Sequence, residues 1–112
     1  MGYSNLEIEF FLYMYPIALS KHDEIDEIIT YSKVTESRVE ELSIQDYFYT
    51  YINNLVKSWL IDLSNEEQKF IELRYFKNLG YKKIASCLYY QNHSGVIKLN
   101  RKIIEKIRKK DV

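Results

Sequence analysis

Residues 63–88 read LSNEEQKFIELRYFKNLGYKKIASCL, and they carry the signals that start, stop and restart a helix. Ser64 is placed to cap: its hydroxyl can accept the backbone N–H of Glu67 while the Glu67 carboxylate reaches back to the Ser64 N–H. Glu66 and Glu67 also lie at the positive end of the helix dipole. Phe70, Leu73 and Phe76 then recur every three residues, with Ile71 and Tyr75 beside them, which makes one apolar face at helical period. Gly80 is expected to take the left-handed conformation that closes this helix. A second helix, Tyr81 to Leu88, turns Ile84, Ala85 and Leu88 inward, and the small Ala85 lets two helices cross closely.

Downstream, Val96, Leu99, Ile103, Ile104 and Ile107 fall on one stripe of a third helix. Lys98, Arg101, Lys102, Lys106, Arg108, Lys109 and Lys110 fall mostly on its other face or in the tail. Two short helices followed by a longer basic one is the layout of a helix-turn-helix, whose last helix fits the major groove of DNA. Apolar stripes and solvated lysines occur in any small helical bundle, so the distribution of charge carries weight here. The chain is formally neutral, yet residues 1–76 hold 6 Lys/Arg against 14 Asp/Glu, a net of −8, and residues 77–112 hold 10 against 2, a net of +8. Such asymmetry points to a part that faces nucleic acid joined to a part that faces something else. The competing readings are that the two parts dock on each other, or that the acidic part masks the basic face until a partner displaces it.

Toward the N-terminus, Tyr3 to Leu19 reads as a helix with Leu6, Phe10, Tyr13, Met14 and Ile17 near one face, kinked or ended by Pro16. Asp23 to Tyr31 reads as a short acidic helix, and Thr35 to Leu42 as a further turn or a loop. Ser43 offers a cap, with Asp46 at the third helical position, for a helix over 44–61 that carries Ile44, Phe48, Ile52, Leu55 and Trp59 on one stripe. The expectation is an all-α protein: a small helical bundle with an acidic, aromatic-rich region, 1–61, for dimerisation or partner contact, and a basic helix-turn-helix domain, 62–112.

Composition narrows the function. With 46% hydrophobic residues, one proline and three glycines, a packed core is available and the turns of an all-β fold are not. No run of about 18 uncharged apolar residues suits a membrane span. The first residues lack a basic segment of the secretory type, and Leu6 stands where a myristoylation signal needs Ser or Thr. A single cysteine, Cys87, expected on the buried side of the second helix, fits a reducing cytoplasm and a core role rather than a nucleophile. His22 and His93 have no ligand-spaced neighbours, so no metal site is expected, and no phosphate loop, nucleophile elbow or zinc-protease motif is present. No cofactor is implied and an enzyme is not expected. The abundance of Tyr, Ile, Lys and Asn is what an AT-rich genome encodes.

Several segments of the C-terminal part together resemble region 4 of bacterial sigma-70 factors and phage late-gene activators of the RinA and ArpU type. The resemblance rests on Leu63, the Ser64/Glu67 box, Ile71-Glu72-Leu73-Arg74-Tyr75-Phe76, Leu79-Gly80-Tyr81-Lys82-Lys83-Ile84-Ala85, Leu88, and Val96 through Ile107. It implies a DNA-binding helix-turn-helix in a transcription regulator, of phage or mobile-element origin since no promoter-melting region is evident, and it implies that the acidic first helix of the motif faces RNA polymerase. In that register His93, Ser94, Ile97, Lys98 and Arg101 face the groove. Arg101 or Lys98 would pair with guanine O6/N7. Lys82, Lys83 and Lys102 would hold phosphates. Tyr81 would pack. The chain departs from the pattern in a turn, Tyr89 to Gly95, one residue longer than usual, with Gly95 where helix 96–107 should be starting.

Double-stranded DNA is therefore the expected partner, with RNA polymerase and a second copy of the chain behind it, and no membrane. The alternative is a protein-interaction module, an anti-sigma or co-regulator, that keeps the fold without DNA binding. A weaker third reading is a ring-forming phage DNA-packaging subunit.

Overall fold

In the computed structural model, which describes residues 2–110, the chain is all-helical: α1 (Asn5–Tyr31), α2 (Glu36–Ile61), α3 (Asn65–Ile71), α4 (Tyr81–Cys87) and α5 (His93–Lys110). Met1, where the lipidation reading begins, and residues 111–112, at the end of the basic segment, lie outside the described residues. The long helices α1 and α2 form an antiparallel hairpin, and α3 to α5 pack on its open end and one flank. The result is elongated, 56 × 32 × 20 Å, with a radius of gyration of 16.9 Å. A compact chain of this length would have about 13 Å.

Each long helix begins on a side-chain cap. Ser4 and Glu7 form a full capping box ahead of α1, and Thr35 accepts the Arg38 N–H ahead of α2. Thr35 rather than Ser43 therefore opens the second long helix, and the stretch read as a turn or loop, Thr35 to Leu42, is that cap and its first turns. Asp46 is no capping residue: it lies inside α2 and pairs with His22 of α1 at 2.6 Å.

Pro16 does not end α1, which runs unbroken into the segment expected as a separate acidic helix. The lost N–H at Pro16 removes one intrahelical bond, but Leu12 before it and Ala18 after it are both fully buried and pin the two sides to the same core. The buried face of α1 also differs from the expected one. Ile8, Leu12, Ala18 and Ile25 point inward, while Leu6, Phe10, Tyr13 and Ile17 are exposed. On α2, Ile52 and Trp59 are buried as the stripe predicts, but Ile44 and Phe48 are exposed, and Leu42, Asn53 and Val56 complete the inner face.

One core joins both parts of the chain. It gathers Ile8, Leu12 and Ala18 of α1, Ile52, Val56 and Trp59 of α2, and Phe70, Ile71, Leu73, Tyr75, Ile84, Val96, Ile103 and Ile107. The segments 1–61 and 62–112 share it. Polar atoms bridge them too: the buried Tyr75 hydroxyl lies 3.0 Å from Glu9 Oε1 of α1 and 2.6 Å from the Asn100 side chain of α5. A hydroxyl has one proton, so Tyr75 donates to Glu9 and accepts from the Asn100 amide once that amide is turned to present its NH₂. Burial, with Glu9 beside it, pushes the Tyr75 hydroxyl's pKa well up, so it stays protonated.

Candidate nucleic-acid interface

The expected Ser64/Glu67 box is present: Glu67 N–H donates to Ser64 Oγ at 3.2 Å, and Ser64 N–H donates to Glu67 Oε1 at 2.8 Å. The Glu67 carboxylate is buried and also takes Lys106 Nζ of α5 at 2.9 Å. Burial alone would raise its pKa, but the Ser64 N–H and the Lys106 ammonium outweigh that and hold it below the usual carboxylate range. Thus the cap that starts α3 also fixes α5 against it. After α3 the helix widens into a π-helical turn, Glu72–Phe76, closed by Lys77 N–H donating to Glu72 O at 2.9 Å. Positions five apart come together on such a turn, and the Phe70 and Tyr75 rings meet edge to face at 6.5 Å between centroids.

Two turns follow, and in both the left-handed residue is not glycine. Asn78 has φ 57°, and Leu79 N–H reaches back to Leu73 O at 3.0 Å. Gly80, expected in that conformation, has φ −72° and is instead the residue before α4. Arg74 fastens this corner: it donates to Leu79 O at 3.1 Å, and its guanidinium lies 4.0 Å from the Tyr81 ring centre, so Tyr81 is a packing residue. After α4, Tyr89 takes φ 62°; Tyr90 N–H donates to Ala85 O at 2.8 Å and Tyr89 N–H to Ser86 O at 3.4 Å. This is the Schellman pattern, with tyrosine where glycine is usual. Cys87, expected to be buried, is exposed here because this early turn places it on the outer side of α4.

The long turn does not delay α5. Asn92 accepts the Ser94 N–H at 3.0 Å, and the helix begins at His93, ahead of the expected 96–107 span, and runs through Gly95. Tyr90 braces this end: its ring lies beside Gly95, 3.5 Å from where a Cβ would be, and its hydroxyl donates to Glu66 Oε1 at 2.9 Å. Val96, Leu99, Ile103, Ile104 and Ile107 are buried, as the stripe predicts, and Asn100 joins them.

That stripe fixes what α5 shows outside. At about 100° per residue, Ser94, Lys98, Arg101 and Lys102 all lie within about 50° of the direction opposite the buried stripe. His93, Ser94, Lys98, Arg101 and Lys102 are exposed and Ile97 is half-buried; Lys82 and Lys83 are exposed on the first turn of α4. The exposed set from His93 to Arg101 spans about 12 Å of helix, close to the width of the major groove, also about 12 Å.

Three other cations of α5 are engaged, while among the described residues Lys109 in its last turn is exposed without an ion pair. Lys106 pairs with Glu67, Arg108 with Glu105, and Lys110 with Asp62. Among the described residues, Lys82, Lys83, Lys98, Arg101 and Lys102 have no ion-pair partner. From Lys82 to Lys102, five uncompensated charges on α4 and the groove-facing part of α5 are thus left to solvent, and no acidic helix masks them. The acids of α3 and of the π-helical turn have partners within the chain: Glu66, itself exposed, with Tyr90, buried Glu67 with Ser64 and Lys106, and half-buried Glu72 with Lys69 and Lys77. Sequence reasoning missed Tyr89, which is 94% exposed beside the start of α5, since a left-handed tyrosine has no sequence signal. Among the described residues no group of three His, Cys, Asp or Glu side chains is placed to hold a metal ion, and no helix is long and apolar enough to cross a membrane. No family model matches the chain, and no curated protein or solved structure matches it either.

Proposed function

We propose that the protein is a DNA-binding transcription regulator that lays α5 in the major groove. The observation that carries the reading is the unpaired basic face of α5 and the start of α4. A protein that kept those charges only for solubility would gain nothing by segregating them from 14 acids on the rest of the chain. In this reading Lys82, Lys83 and Lys102 neutralise phosphates, while His93, Ser94, Ile97, Lys98 and Arg101 face base edges. Because α5 starts at His93, the glycine that interrupts the pattern at 95 lies within the helix and removes no turn from the groove-facing face. The sigma region 4 resemblance supplies the remaining parts of the proposal: a helix-turn-helix formed by α3, α4 and α5, a phage or mobile-element origin, and a cytoplasmic place of action. The acidic side of α3, where Glu66 is exposed, is the surface proposed to face RNA polymerase.

Replacing Arg101 with alanine tests the assignment of base readout. If Arg101 pairs with guanine, affinity for the selected operator falls by about 1–3 kcal/mol and selectivity relaxes at one position. An unchanged affinity removes Arg101 from the interface. A second reading, a protein-interaction module, is favoured by the exposed apolar side chains of α1 and α2. It predicts no salt-dependent binding to duplex DNA.

A further inference from the structure

We propose that the outward face of the α1–α2 hairpin is an interface with a second copy of this chain. Leu6, Phe10 and Ile17 line one exposed stripe of α1, at i, i+4 and i+11, and Ile44, Phe48 and Tyr51 line one of α2, at i, i+4 and i+7. A chain of ring contacts connects the two stripes: Phe10 to Phe11 at 5.7 Å, Phe11 to Tyr3 at 5.1 Å, and the Tyr3 hydroxyl to that of Tyr51.

The exposures of those six side chains are 77, 51, 49, 74, 47 and 46%. With roughly 200 Å² for a large side chain, they leave about 700 Å² of apolar surface in water. A monomer's largest apolar patch is typically about 300–600 Å², and one side of a standard protein–protein interface buries about 800 Å². The patch therefore has the size of half a dimer interface before any polar rim is counted. The hairpin itself needs such a partner. Past Ala18 on α1 and before Ile52 on α2, Ile25 and Leu42 are the only buried apolar side chains among the described residues, so its outer part has little core of its own. Two hairpins packed face to face form a four-helix bundle and supply that core to each other.

Charge sets a signature for this association. Residues 5–61 hold 4 Lys/Arg against 10 Asp/Glu, a net of −6, so two hairpins repel at low salt. Dimer formation should tighten as salt screens that repulsion. Binding of DNA by α5 would weaken over the same range. The opposite slopes keep the two readings separable, and the dimer proposal stands whether or not the protein binds DNA.

Sedimentation equilibrium of the full chain, from low micromolar to hundreds of micromolar and at several salt concentrations, is the test. The expected result is a dimer whose dissociation constant falls several-fold from low to moderate salt. It should rise at least tenfold in the Ile44→Glu/Phe48→Glu variant with an unchanged helical CD spectrum. Neither side chain belongs to the buried core, and the unchanged spectrum separates loss of the dimer from loss of the fold. A wild-type chain that stays monomeric at every concentration overturns the proposal. So does a dimer that the double variant leaves intact, which would place the contact on another face. Leu6→Glu/Ile17→Glu provides an independent pair: if it spares a dimer that Ile44→Glu/Phe48→Glu abolishes, the two-helix face is wrong.

Discussion

Glu67 is where the sequence signal, the fold and the charge pattern meet, and its replacement has a computable cost. Glu67→Ala removes the acceptor that takes the Ser64 N–H at 2.8 Å and the partner that holds Lys106 at 2.9 Å. The capping half is worth about 1 kcal/mol. The ion pair adds about 0.5–1 kcal/mol, since the Lys106 side chain is 46% exposed while that of Glu67 is 7% exposed. A negative charge at the helix start adds about 0.5 kcal/mol. Together Glu67→Ala should cost about 2–2.5 kcal/mol, or a midpoint lowered by roughly 10 °C. Glu67→Gln keeps an acceptor for the cap and loses only the charge, so it should cost about 1 kcal/mol. Acidity separates the two contributions. The folded Glu67 carboxyl titrates below its unfolded value of about 4.3. Its charge therefore stabilises the fold fully above that value, and the contribution is lost as pH falls through the lower folded value. Urea unfolding at neutral pH and in acid reads both. The gap between wild type and Glu67→Gln should close in acid, while the gap to Glu67→Ala should persist in part. A cost under about 0.5 kcal/mol for Glu67→Ala, or a Gln variant as damaged as the Ala variant, would refute this account.

Three more expectations follow from named contacts. Tyr89 is left-handed and 94% exposed, so Tyr89→Gly should stabilise the fold by about 0.5–1 kcal/mol in urea unfolding, and a loss of stability would show that the ring has a packing role. Tyr75→Phe leaves Glu9 and Asn100 facing a ring without its hydroxyl and should cost about 1–3 kcal/mol; a neutral result would mean that water replaces the hydroxyl. The Asp46 hydrogen bond raises the pKa of His22, so the pair's contribution is full below the unfolded value of about 6.5 and is lost as pH rises through the higher folded value. With His22 39% exposed that contribution is under about 1 kcal/mol, and His22→Gln should remove this part of the pH dependence; a variant that keeps it assigns the effect elsewhere.

How legible each element was depended on how many solutions its pattern allowed. The Ser64/Glu67 box and the α5 stripe had one each: local atoms complete the first, and every apolar residue of α5 but Ile97 lies on a single buried stripe. The long hairpin had two. Both α1 and α2 carry apolar residues on more than one stripe, and periodicity finds a stripe without saying which one the rest of the chain covers. In α1 the covered stripe is Ile8 and Leu12, and the larger, more aromatic one is exposed. Pro16 and Ser43 looked like helix boundaries because both are local signals, and long-range packing of Leu12, Ala18 and Leu42 overrides them. The left-handed positions were misplaced for a related reason: Gly80 tolerates that conformation, but the turn geometry demanded it two residues earlier, at Asn78. For the candidate interface, exposure of Lys98, Arg101 and Lys102 followed from the α5 stripe alone. Which cations were spent on internal pairs, Lys106 and Lys110 among them, required the tertiary structure.

The measurement that tests the central proposal most directly is binding to random-sequence duplex DNA across a salt series, with the Lys98→Ala/Arg101→Ala variant alongside. On random sequence, where no base is read, all five cations can neutralise phosphates, which predicts a slope of log affinity against log salt of about −4 to −5, flattened by about 2 in the variant. Absence of binding at low salt, or a wild-type slope that the variant leaves unchanged, would contradict the assignment of α5 as the surface that meets DNA.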